Sequence, residues 1–286
     1  MQLVTALVQQ RHAATPQELS NALWAAATLK LPLPEQEVQQ LVDVVVQQRW
    51  AAKPQDVSNT LWAAASLGLQ LPAQQVWRLV EILVQQRLAA HRQDVSQTLW
   101  AVAIMKLPLP DQQARHLVEA FMQKRGAGRV QDVSQMLWAA AAMKLPLEDQ
   151  EARQLVQAFM RNRAAARAWE VASVLWAVAT MKLPLPGRQA QQLVEAFVQR
   201  LRAATAQDIA KTLWAASTME LPLPCWEAQL LADEMVEKRQ AAGPDDLTTA
   251  LQAAANMGLP LSDQHQQLLT EALAANAAGT HLQFVP

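Results

Sequence analysis

Apolar and polar positions along this chain follow the period of a helix, and the pattern restarts every 38 residues. Val57, Leu61 and Ala65 stand four apart on one stripe; Val76, Leu79, Val80, Leu83 and Val84 form a second. The spacing predicts a first helix opening at Pro54-Gln55-Asp56 and ending near Gly68. Pro is tolerated in a first turn, and an acid there meets the positive end of the helix dipole. A second helix is predicted over about 73–88, closing on Arg87. Between them stands Leu71-Pro72, expanded elsewhere to Leu-Pro-Leu-Pro, as at Leu31 to Pro34 and Leu107 to Pro110. Proline lacks the amide hydrogen and restrains its predecessor, so one helix cannot run through this break.

Tryptophan marks the period at positions 24, 62, 100, 138, 176 and 214, always 38 apart. The copying extends beyond it: Asp56 to Trp62 recurs as Asp94 to Trp100 and Asp132 to Trp138, and a seventh copy at Asp246 to Gln252 has Gln for Trp. One such hairpin cannot bury both apolar stripes alone, whereas stacked copies share a continuous core. The expected fold is all-α, a right-handed α–α solenoid of about seven helix–turn–helix repeats plus an N-terminal half repeat. As a single domain over 1–286 it divides into a half repeat, 1–15, then repeats 16–53, 54–91, 92–129, 130–167, 168–205, 206–243 and 244–281, and a frayed tail, 282–286. The opening in mid-repeat is what a fragment of a longer array shows. Leu3 to Arg11 aligns with Leu41 to Arg49, so no targeting segment is visible.

Composition narrows the function. Abundant Ala, only 7 Gly and no Tyr suit close-packed helices. A single cysteine, Cys225, excludes an internal disulfide framework and a cysteine-built zinc site, and no apolar run is long enough to span a bilayer. Neither a cofactor nor a metal is expected. His12, His91, His116, His265 and His281 occupy unrelated repeat positions without ligand spacing, and Cys225 follows Pro224 with no His aligned to it. No Gly-rich phosphate loop exists. Catalysis is therefore not expected.

A 38-residue helical hairpin carrying Leu-Trp-Ala-x-Ala and then a Pro-rich break resembles the octotricopeptide repeat family. The family's break often reads Pro-Pro-Pro-Glu-Trp; the nearest forms here are Leu33-Pro34-Glu35 and Pro222-Leu223-Pro224-Cys225-Trp226. The likeness covers nearly the whole chain and extends loosely to FAST-kinase-like mitochondrial RNA proteins and repeat subunits of RNA-editing complexes. It implies binding of single-stranded organellar RNA, in mitochondrion or chloroplast, to govern processing, stability or translation. Many such proteins carry a separate C-terminal RAP domain, which these 286 residues do not contain.

With Trp set at zero degrees on the first helix, the apolar stripe lies to one side and the residue three before Trp on the other. That position holds Asn21, Asn59, Gln97, Gln135, Ser173, Lys211 and Thr249, always polar yet varied. A base-reading row should present such changing donors and acceptors from a fixed frame, and amides offer both. Beside it, Ala25, Ala63, Ala101, Ala139, Ala177, Ala215 and Ala253 are expected to leave room for a strand. An exposed face drifting among polar residues gives the same pattern. The Trp row borders the apolar stripe and is expected to fill the core, so losing one Trp should cost about 3–5 kcal/mol.

Lys30, Lys106, Lys144 and Lys182 share the end of the first helix and are candidate phosphate contacts; Gly68, Glu220 and Gly258 interrupt the row. Arg11, Arg49, Arg87, Arg125, Arg163 and Arg239 close the second helix, where the dipole favours cations. The acids Glu18, Asp56, Asp94, Asp132, Glu170, Asp208 and Asp246 are expected to pair with them between hairpins. The whole chain carries 24 basic and 25 acidic residues, unevenly spread. Residues 92–202 hold 15 basic against 9 acidic, net +6, and residues 203–286 hold 3 against 10, net −7. A polyanion is drawn to the middle, while the acidic C-terminal repeats suit a protein partner. Two functions follow: a sequence-selective single-stranded RNA-binding solenoid, or a protein-binding scaffold; oligomeric state stays open.

Overall fold

The computed structural model describes residues 13–31, 33–124, 128–259 and 261–281, with side chains up to residue 276. Most of the expected half repeat, the tail from 282, Arg11 and Arg125 lie outside them. The described residues form fourteen α-helices and no strand: an all-α solenoid of helical repeats. Seven are first helices of a repeat: α1 (Pro16–Thr28), α3 (Pro54–Ser66), α5 (Arg92–Ile104), α7 (Val130–Met143), α9 (Ala168–Thr180), α11 (Ala206–Thr218) and α13 (Pro244–Asn256). The seconds are α2 (Glu35–Gln47), α4 (Ala73–Gln85), α6 (Asp111–Gln123), α8 (Asp149–Asn162), α10 (Gly187–Val198), α12 (Cys225–Glu237) and α14 (Asp263–His281). These two sets are called A- and B-helices. The chain forms two compact units, residues 1–151 and 152–286.

In the first unit α1 packs on α3, α3 on α5 and α5 on α7; in the second, α9 packs on α11 and α11 on α13. Among the described helices these A–A contacts are the most extensive, and B-helices touch one another more sparsely. Alanine makes the approach possible: Ala63, Ala64, Ala101, Ala139 and Ala140 are sealed between neighbours in one unit, as are Ala177, Ala215 and Ala216 in the other. The B-helices close the core with larger groups, Leu41, Leu79, Leu83, Phe121, Phe159 and Phe197, all fully buried. Ile82 is buried while Val84 is only partly so, and α4 stops at Gln85 rather than near 88, leaving Leu88 exposed.

Each A-helix starts and stops by the same device. The acid at its third position accepts the N–H of the residue before the helix: Lys53 to Asp56 at 2.9 Å, His91 to Asp94 at 2.8 Å, Thr205 to Asp208 at 2.9 Å. The acid also receives the preceding repeat's serine, Ser20 to Asp56 at 3.3 Å and Ser58 to Asp94 at 3.2 Å. At Asp56 and Asp94 these bonds, rather than the expected pairs with the arginines, occupy the acid. The arginines cap their own B-helices instead: Arg87, Arg163 and Arg239 donate to the carbonyls of Val84, Met160 and Val236.

At the other end of the A-helix the chain turns through the left-handed region. Lys30, Lys106, Lys144, Lys182 and Glu220 have φ of 51–54°, and the equivalent Gly68 and Gly258 have 73° and 60°. The next residue, always Leu, donates back across the turn, as Leu69 to Ala64 (3.0 Å) and Leu145 to Ala140 (3.0 Å). Glycine is the residue this cap favours, because it has no Cβ to clash. The glycines thus obey the backbone, and the lysines stand there at a cost of about 1 kcal/mol each.

A second tie runs between repeats where the sequence shows only varied side chains. After five of the B-helices, a side chain one or two residues past the helix donates to a carbonyl in the preceding repeat's turn. Examples are Gln48 to Ala14 (3.2 Å), Gln86 to Ala52 (3.0 Å), Lys124 to Leu88 (2.7 Å), Arg200 to Ala164 (2.6 Å) and Lys238 to Arg202 (3.2 Å). Between B-helices, Arg115 grips Glu151 at 2.8 and 3.0 Å. Burial would raise the Glu151 carboxyl, but these bonds pull it below its ordinary range. The corresponding contact in the second unit is weaker: Gln191 donates to one oxygen of Glu227 at 3.1 Å, and the other oxygen is buried without a partner. Burial pushes Glu227 up, only partly opposed by the Gln191 bond, and the Glu195 charge adds to the rise.

Two stability changes follow. Lys106→Gly should stabilise by about 0.5–1 kcal/mol and Gly68→Ala should destabilise by at least as much, both measured by urea unfolding. Glu227 titrates higher folded than unfolded, so its ionised form opposes folding at neutral pH. That cost disappears as pH falls through the folded pKa toward the usual carboxylate range. Glu227→Gln should therefore stabilise at pH 7 by about 1 kcal/mol, with the advantage fading on acidification, as followed by thermal unfolding across pH.

Candidate functional site

On α3 and α5 a narrow stripe faces solvent, stepping four, three and four residues, and the same positions lie on the wider open faces of α1 and α13. On α3 it is Gln55, Asn59, Trp62 and Ser66; on α5, Gln93, Gln97, Trp100 and Ile104. Every other position of these two helices beyond the first turn is buried. The expected readout row and the Trp row thus share one face, and it is the face open to ligand.

The tryptophans are not core. Trp24 is 42% exposed, and Trp62, Trp100, Trp138, Trp176 and Trp214 are part-exposed. An indole does not fit where buried alanines let the helices pack closely, and the ring lies on the outer stripe instead. There neighbouring rings meet: Trp24 and Trp62 lie 6.4 Å apart at 37°, Trp176 and Trp214 6.3 Å apart at 38°. The expectation that Trp fills the core is corrected, and so is the expected room for a strand beside the alanines. Ala63, Ala101, Ala139, Ala177 and Ala215 have no exposure at all, because a helix occupies that space.

The row three before Trp lies on the right face but deeper than expected. Asn59, Gln97, Gln135 and Ser173 keep 8, 5, 3 and 7% exposure. Asn21 is exposed at the first described helix, and Lys211 and Thr249 are intermediate. The amides turn to neighbouring repeats: Asn59 donates to Asn21 at 3.5 Å, and Ser96 donates to Gln135 at 3.4 Å. Gln97 differs, its carbonyl oxygen being buried without a partner. Burial lowers the Lys211 ammonium below its ordinary value, against the opposing charges of Asp208 and Asp246.

Cations flank the stripe. Lys30, Lys106, Lys144 and Lys182 are exposed at its C-terminal end, held there by the left-handed turn; Lys106 and Lys144 border one open hollow of about 360 Å3 with Leu107 and Pro108. At the N-terminal end of the stripe, in the first unit, His91, Arg92, Lys124 and Arg129 together with Asp94 and Asp132 line a hollow of about 540 Å3 that reaches Gln55, Asn59 and Gln93. Arg92 lies over the Phe121 ring at 5.2 Å, and burial lowers its guanidinium, against the pull of Asp132. In the second unit α9 bears Trp169, Ser173, Trp176 and Thr180 between Arg167 and Lys182. The middle-chain basic excess falls here, since residues 152–202 hold eight basic and two acidic residues.

Among the described residues no group of three or more His, Cys, Asp or Glu could hold a metal ion. Likewise no helix among them is long and apolar enough to cross a membrane. Cys225 is exposed and unpaired to another cysteine, and His265 meets Asp233 at 3.2 Å. No family model matches the chain, and no curated protein matches it.

The relocation of Trp reverses an energetic order. Leu61→Ala, at a site with no exposure, should cost about 2–5 kcal/mol. Trp62→Ala should cost about 1–2 kcal/mol, the part-buried ring and its tilted contact with Trp24. Chemical denaturation of the two variants measures both; a Trp62 loss equal to the Leu61 loss would return the indole to the core.

Proposed function

We propose that the A-helix stripes bind single-stranded RNA with sequence selectivity, the protein acting without catalysis in organellar RNA processing, stability or translation. The observation that supports this reading best is the row of part-exposed indoles on the solvent stripe, flanked by cations. Unpaired bases stack on aromatic faces, each contact worth about 1–3 kcal/mol, while Lys and Arg engage the phosphates. The αL lysines strengthen the case, because a charge is kept where the backbone favours glycine. The likeness to octotricopeptide repeats supplies the organellar setting, in mitochondrion or chloroplast.

The scaffold reading rests on a different stretch. Residues 203–286, with 3 basic and 10 acidic residues, suit a basic protein partner. Such a partner would occupy the acidic repeats without needing the indoles.

Binding of the protein to a random single-stranded RNA pool should weaken steeply with salt. Replacing Lys106, Lys144 and Lys182 together by Gln should lower the slope of log K against log salt by about 2. Trp176→Leu with Trp214→Leu should weaken binding about tenfold or more while far-UV circular dichroism is kept. Absence of salt-sensitive binding, or indifference to both sets of changes, would remove the RNA reading.

A further inference from the structure

Four positions of each A-helix reach the stripe: seven before Trp, three before it, Trp itself, and four after. The first is Gln in Gln17, Gln55, Gln93, Gln131 and Gln207, too uniform to distinguish one base from another. The second is nearly sealed in Asn59, Gln97, Gln135 and Ser173. The third is the indole. Only the fourth is exposed in all seven A-helices and also chemically varied. It holds Thr28, Ser66, Ile104 and Ala142 in the first unit and Thr180, Thr218 and Asn256 in the second.

We infer that the residue four after Trp discriminates the bases of the bound RNA. This rests on the RNA reading above and moves base selection from the buried row to the exposed one. The position lies one turn beyond the indole, about 6 Å along the axis. It stands two residues before the left-handed cap that carries Lys30, Lys106, Lys144 and Lys182. A nucleotide whose base rests on Trp thus meets, in order along the helix, a stacking face, an edge reader and a phosphate-binding ammonium. The residues present differ as readers should: hydroxyls donate and accept, Asn256 offers both groups of an amide, and Ile104 and Ala142 accept only apolar contact.

A second observation on the same stripe points to a ligand with donors. Gln97, 5% exposed, has a buried carbonyl oxygen with no partner, one turn before Trp100. An unmade bond of this kind is costly; the oxygen is closed to solvent, so a base amino or imino group completes the bond only when the side chain swings out onto the stripe. The side chain at 104, one turn beyond Trp100, then meets another edge of the same nucleotide.

The test is selection from a random single-stranded RNA pool with the full chain and four variants: Ile104→Asn, Ala142→Asn, Gln97→Ser and Gln135→Ser. Ala142→Asn lies in an exposed last turn and should leave the unfolding midpoint unchanged, whereas Ile104→Asn, at a position 37% exposed, should lower it modestly and stay folded. Each should create a preference of roughly fivefold or more at one nucleotide, the two nucleotides being neighbours. An unchanged sequence profile in both Asn variants, with the parent still enriching RNA, would overturn the inference while leaving RNA binding intact. So would a shift confined to Gln97→Ser and Gln135→Ser. Failure of the parent itself to enrich any RNA is a separate result: it removes the RNA reading, and the inference with it.

Discussion

The alanines after each Trp set the distance between A-helices, and the exposed face follows from that distance. Ala63, Ala101 and Ala139 in one unit, and Ala177 and Ala215 in the other, are fully buried, and their small side chains let neighbouring A-helices pack closely. Helices that close have no gap for an indole. The ring goes to the outer stripe, where Trp24 meets Trp62 and Trp176 meets Trp214. One small side chain thus accounts for the tight stack and the exposed tryptophans.

Repetition also lets polar ties be spread across the array. A carboxylate at the start of an A-helix holds its own helix and the preceding repeat's serine. A donor past the B-helix holds the preceding turn. Each bond is modest, about 1 kcal/mol, and their recurrence helps hold the repeats in register along each unit. This fixed frame gives meaning to side-chain variation on the stripe: what changes from helix to helix changes at a constant position. Cations at the two ends of the stripe, from Arg167 to Lys182 on α9, complete a surface suited to a flexible polyanion with stacking bases.

Much of this was legible from residue spacing. The helix starts at Pro16 and Pro54 followed from proline and the acid two positions on, and the repeat length from tryptophan. The angular position of Asn59 and Gln97 was also correct, because a helical wheel fixes direction. It does not fix depth: how far a side chain stands clear depends on the neighbouring helix, which the wheel does not contain. The same omission put Trp62 in the core and left a vacancy beside Ala63. The Lys row held a readable clue in Gly68 and Gly258, since glycine alternating with lysine marks a left-handed backbone more than a charge pattern. The ties from Gln48, Lys124 and Arg200 were illegible, because their shared property is a donor rather than a residue type.

The most direct test of the central claim, that the tryptophan-bearing stripe of the A-helices is the ligand-binding face, is ultraviolet crosslinking of bound RNA with mass-spectrometric mapping. The account predicts adducts on peptides containing Trp62, Trp100, Trp138, Trp176 and Trp214. Adducts confined to Trp50 and Trp77, which lie on and just beyond B-helices, would contradict it.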